Sequence, residues 1–121
     1  MTPLGQHTKV YMVLGATDMR KAIDGLSLVV ADHLGHDVFS GHLFVFCNRG
    51  RTILKILYWE RNGFCLWQKR LEKHRFTWPE SEREVLELGP RELGWLLEGL
   101  DPLQTRGTPG WNIPQYIENF A

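Results

Sequence analysis

Apolar and polar positions along the chain change rhythm several times, and each change marks an element. Lys9 to Leu14 (Lys-Val-Tyr-Met-Val-Leu) is short, β-branched and aromatic, which predicts a strand. Gly15-Ala16-Thr17-Asp18 breaks it, with Asp18 placed to cap a following helix. Met19, Ile23, Leu26, Val30 and Leu34 then recur three or four apart, one face of an amphipathic helix that Gly35 should end. His42–Phe46, Thr52–Trp59 and Phe64–Glu72 read as three more strands, and Glu84–Leu88 as a fifth at an edge. Ser81 to Glu84 also fits a helix capping box. Pro90 suits the first turn of a second helix that ends near Glu98 or Gly99, with Leu93, Leu96, Leu97 and Leu100 as its apolar stripe. The fold class expected is α+β, a single domain over residues 1–100. Its antiparallel sheet of four to five strands carries two helices, most simply packed on one face. Residues 101–121, rich in Gly, Pro and Thr as far as Trp111, are expected to form a C-terminal tail that is loosely packed or ordered by a partner.

Asn62-Gly63 between two β-rich runs is a strong hairpin signal. A two-residue loop there sets Lys55 opposite Arg70 and Trp59 opposite Leu66; a longer loop shifts the partners but not the faces. One face holds Ile53, Lys55, Leu57, Trp59, Phe64, Leu66, Gln68, Arg70 and Glu72. The other holds Leu54, Ile56, Tyr58, Cys65, Trp67, Lys69 and Leu71. Both are apolar near the turn, and like charges directly opposite each other oppose pairing.

The 121 residues carry no net charge, which by itself argues against a nucleic-acid partner. The distribution changes that picture: residues 1–48 have a net charge of −1, residues 49–78 of +6 and residues 79–121 of −5. Such polarity either presents a positive face to an anionic partner or is neutralised within the fold. The basic block interleaves Arg49, Arg51, Lys55, Lys69, Arg70, Lys73 and Arg75 with Tyr58, Trp59, Trp67 and Trp78. Cations hold phosphates and rings stack on bases, so these seven residues are the candidate nucleic-acid contacts. Arg20 and Lys21 are secondary candidates. The same pattern fits a plainer account, in which the aromatics are core and the basic run is a solvated edge.

Little else in the chain points to chemistry. Cys47 and Cys65 form no C-x-x-C pair, and five scattered histidines have no metal-ligand spacing, so neither metal nor cofactor is expected. A cytosolic chain keeps such thiols reduced. Asp18, Asp24, Asp32 and Asp37 lie on or beside one helix rather than converging as a two-metal strand-transfer site requires. No glycine-rich phosphate loop follows a strand, and catalytic residues are therefore not expected. The absence of a long apolar run and of a secretory leader points to a cytoplasmic protein without a membrane partner, nucleoid-associated when bound to DNA.

The stretch from Lys55 to Pro79, with Trp59, Asn62-Gly63, Leu66, Lys69-Arg70-Leu71-Glu72 and Arg75-Phe76-Thr77-Trp78-Pro79, resembles the signature block of the small accessory protein (Orf2-like, TnpB-type) of the insertion-sequence-66 family. Thr17-Asp18-Met19-Arg20-Lys21 with Asp24-Gly25-Leu26, Phe39-Ser40-Gly41 with Leu43–Phe46, and Leu96–Leu100 match in the same order. Departures fall at turns, at Val38, Glu60 and Arg61. The resemblance implies a non-catalytic component of DNA transposition that acts beside a DDE-type transposase and a second accessory protein of the same element. It does not imply the much longer RNA-guided nuclease that shares the TnpB label. Two roles stay open: contact with DNA through the basic hairpin, or docking on the transposase as a protein–protein adaptor without direct DNA contact.

Overall fold

A computed structural model describes residues 7–81 and 85–103. Five strands form one sheet: β1 (Val10–Val13), β2 (Leu43–Cys47), β3 (Ile53–Glu60), β4 (Gly63–Arg70) and β5 (Val85–Leu88), in the order β4-β3-β2-β1-β5. Three neighbouring pairs are antiparallel, but β1 and β2 run parallel, with Tyr11 beside Phe44. A parallel pair needs a crossover, and helix α1 (Ile23–Leu28), continued by a π-helical turn (Val29–His33), supplies it. Helix α2 (Pro90–Leu97) follows β5, with Pro90 in its first turn. The sheet is thus mixed rather than wholly antiparallel, as an α+β domain permits. Of the expected tail, residues 104–121 lie outside the described residues, as does Glu84 at the start of the expected fifth strand.

The helices lie on opposite faces, not on one. Leu26 and Val30 of the first helical segment pack with Val13, Phe44, Phe46 and Leu57. Leu93 and Leu96 of α2 pack with Val10, Met12, Val45, Ile56 and Tyr58 on the other side. A sheet covered on both faces needs apolar residues at odd and even positions alike. This is why β2 is buried along its whole length and why both faces of the β3–β4 hairpin are apolar.

The first helix starts later than its apolar stripe. Asp18 does not cap it: the helix begins after Ala22, which makes no side-chain cap. Instead Asp18 and Lys21 close a turn, the Lys21 N–H donating to the Asp18 carbonyl at 3.1 Å. The stripe nonetheless faces the sheet, because Met19 and Ile23 pack beside Leu26 and Val30. Gly35 ends the segment at φ +67°, a left-handed conformation that lets the His36 N–H reach back to the Val30 carbonyl.

The hairpin turn lies one residue earlier than Asn62-Gly63 suggests. Glu60 pairs with Gly63, so Arg61 and Asn62 form the loop, with Arg61 at φ +54°. The register moves by two, leaving Lys55 opposite Gln68 and Arg70 opposite Ile53. Face membership is as expected, and the opposition of Lys55 to Arg70 disappears.

Past β4 the chain does not turn straight back. Residues 71–80 form a strap across the strand ends. The Leu71 N–H donates to Thr52, the Phe76 N–H to Arg51, the Trp78 Nε1–H to the Gly15 carbonyl, and the Gly15 N–H to Pro79. Phe76 and Trp78 are buried in the α2-side core. The strap thereby carries the chain from one edge of the sheet to the other, where β5 joins β1.

Candidate nucleic-acid interface

The strap and the strand connections bring the basic residues to one end of the sheet. Three segments meet there: the loop after β1, the Asn48–Thr52 loop between β2 and β3, and the strap. Arg49 and Arg51 are exposed on the second, and Lys73, His74 and Arg75 are exposed on the third. Arg20 and Lys21 are exposed on the first.

The Asn48–Thr52 loop owes its shape to one side chain. Asn48 Oδ1 accepts from the N–H groups of Thr52 (2.9 Å) and Ile53 (3.0 Å), while its own carbonyl accepts from the Arg51 N–H at 3.1 Å. Those three N–H groups are spent inside the loop, while the Arg49 and Arg51 side chains are exposed. Arg51 sits at φ +61° and His74 at φ +67°, backbone that side chains other than glycine enter at a cost.

Not every expected contact reaches this surface. Lys55 is buried, 8% exposed, on the α1 face. Its Nζ donates to the carbonyls of Met19 (2.9 Å) and Lys21 (3.0 Å), which leaves it pinning the segment ahead of α1. Lys69 is half-buried and donates to the Leu97 carbonyl at 2.8 Å, where it caps the C-terminus of α2 and opposes its partial negative charge. Arg70 pairs with Glu72 at 3.0 Å and Arg20 with Asp18 at 2.7 Å. Lys21, Arg49, Arg51, Lys73 and Arg75 form no ion pair among the described residues.

The aromatic residues separate from the cations. Tyr58, Trp67 and Trp78 belong to the α2-side core. Trp59, Phe64 and Phe39 form edge-on and tilted contacts 5.1 to 5.6 Å apart at the hairpin tip, the opposite end of the sheet. Phe39 is 59% exposed there. Interleaving in sequence therefore does not become interleaving in space, except that Trp78 lines a concavity with Arg49 and Arg51.

Two concavities flank Gly15-Ala16 at the C-terminal ends of the parallel strands β1 and β2. One, about 280 Å³, is lined by Gly15, Ala16, Asn48, Arg49, Arg51, Trp78, Pro79 and Glu80. The other, about 240 Å³, faces α1 and includes Asp18, Lys21 and His33. Sequence reading singled out the arginines but not Gly15, Ala16 or Glu80. Their only signal was a glycine just past a strand, and nothing in the pattern placed Trp78 against it.

Two groups have shifted acidities. The Arg20 guanidinium and N–H hold the Asp18 carboxyl down at about 2. Burial pushes the Cys47 thiol up to about 12. Cys47 and Cys65 are both free. Among the described residues no cluster of three His, Cys, Asp or Glu side chains is arranged to hold a metal ion, and no helix is long and apolar enough to cross a membrane.

A small three-layer α+β domain with one cationic end is thus the class of protein that fold and surface define. Residues 8–107 match the family model described as IS66 Orf2 like protein, and the chain belongs to that family. It is 39% identical over 115 residues to uncharacterized protein y4hO of Sinorhizobium fredii, covering 95% of this chain and 92% of that one. It is also 29% identical over 101 residues to uncharacterized protein y4jC of the same organism, covering 84% and 86%. No solved structure matches. Membership points to an accessory role in transposition of insertion sequences.

Proposed function

We propose that the protein is a non-catalytic accessory factor of DNA transposition that holds DNA phosphates with the cationic end of its sheet. One observation carries this reading. Lys21, Arg49, Arg51, Lys73 and Arg75, from three segments distant in sequence, face solvent at one end without an ion-pair partner among the described residues. Lys69 and Arg70 border this set with part of their charge already engaged. Lys55 leaves it.

Phosphate contacts release counterions, so binding must weaken with salt. Four or five contacts lower affinity by about two to three decades between 50 and 200 mM salt. Fluorescence anisotropy on a labelled element-end duplex and a scrambled duplex, across a salt series, tests this. Steep salt dependence that flattens in Lys73→Ala/Arg75→Ala supports the reading, and no binding at low salt overturns it.

A second reading is favoured by Phe39, Trp59 and Phe64. An exposed aromatic at the end opposite the cations suits docking on a protein. In that reading the chain is an adaptor on the DDE-type transposase. Co-purification with the transposase that is lost in Phe39→Ser, with DNA affinity unaltered, selects it.

A further inference from the structure

We propose that the cavity between the Asn48–Thr52 loop and Trp78–Glu80 is a seat for a phosphomonoester, with the terminal phosphate of a DNA strand as its source. The strand as source rests on the DNA-contact reading above; the phosphate seat itself does not.

Size limits what enters. A concavity of about 280 Å³ has room for a phosphate group. At its base the Trp78 Nε1–H donates to the Gly15 carbonyl at 2.9 Å and the Gly15 N–H donates to Pro79 at 3.0 Å, which ties the strap to the loop after β1.

Charge then selects the ligand. Arg49 and Arg51 supply two permanently charged forks, and among the described residues Glu80 is the one carboxylate in the lining. A phosphomonoester carries about −1.5 to −2 charges and three strong acceptor oxygens, enough to engage both forks, whereas an internal phosphodiester carries a single charge. The cavity on the α1 side is less suited, since its described lining sets the Asp18 carboxylate beside the single ammonium of Lys21 and includes no arginine.

The loop that carries the forks is also held in advance. Asn48 fixes the loop from within, and the Arg51 carbonyl accepts from the Phe76 N–H at 2.7 Å, which ties the loop to the strap. Little backbone ordering is then left to oppose binding.

Anisotropy with matched single strands ending in 5′-phosphate, 3′-phosphate or hydroxyl tests the proposal, together with the indole N–H resonance of Trp78 during titration with inorganic phosphate. The expected result is about tenfold tighter binding of a phosphorylated end, as new charge-assisted hydrogen bonds imply, and a shifted Trp78 resonance. Arg49→Ala/Arg51→Ala removes the preference, while Lys73→Ala/Arg75→Ala weakens all strands alike. Arg49→Lys/Arg51→Lys keeps charge and loop while losing the forks, and should retain general affinity but lose most of the preference. Equal binding of all strands with a Trp78 shift overturns the strand end as source and leaves a free phosphate. Equal binding without a shift overturns the seat while the DNA reading stands. A shift with no strand binding overturns the DNA reading and keeps the seat.

Discussion

Lys55 and Met19 are joined across 36 positions of sequence: the Lys55 ammonium donates to the Met19 carbonyl at 2.9 Å from within the sheet. A second bond to Lys21 makes this lysine the tie between β3 and the turn that precedes α1. A cation used in this way stabilises the fold and is lost to the surface. Lys55→Met keeps the side-chain bulk but strips both carbonyls of their donor, and should cost about 1.5 to 3 kcal/mol in urea unfolding. Its DNA affinity and salt dependence should match the parent protein.

Arg51 predicts the opposite separation. Its left-handed backbone favours glycine, so Arg51→Gly should raise stability by about 0.5 to 1 kcal/mol by thermal or urea unfolding. The same change removes one phosphate contact and should reduce the slope of log affinity against log salt by about 0.9. A stabilised variant with unaltered slope would take Arg51 out of the interface.

Asp18 sets a pH signature. Its carboxyl titrates at about 2 instead of the ordinary 3.8, first because the Arg20 side chain donates to it. A depressed carboxylate contributes stability that is present above the unfolded value and lost as pH falls through the folded one. Wild type should therefore lose stability faster than Asp18→Asn between about pH 4 and pH 2. An NMR titration of the Asp18 carboxyl in Arg20→Ala should show its midpoint moving back up.

The two thiols should differ in reactivity. Cys47 is fully buried and its thiol is pushed up to about 12 by burial, whereas Cys65 is half-buried beside Glu60. Maleimide at neutral pH should label Cys65 and spare Cys47 in the folded protein, with both reacting in urea. For Cys47 the sign is that of a raised acid. Its contribution is present below the unfolded thiol value near 9 and declines as pH rises toward 12.

Local pattern carried much of this protein. Side-chain alternation assigned the β3 residues from Ile53 to Trp59 and the β4 residues from Phe64 to Arg70 to their faces, because a period of two survives a shift of the turn. The three- and four-residue spacing of Met19, Ile23, Leu26, Val30 and Leu34 marked the face that meets the sheet, although the helix starts only at Ile23. The charge block at 49–78 was equally plain. Tertiary structure decided the rest, since it depends on neighbours distant in sequence. The parallel pairing of β1 with β2 puts α1 on one face while α2 covers the other. That burial turns Tyr58, Trp67 and Trp78 into core, draws Lys55 inside and commits Lys69 to a helix end. It also closes Trp78 over Gly15 behind two arginines. A cation in sequence is only a charge; whether it meets a carbonyl, a carboxylate or solvent is fixed by what the folded chain brings beside it.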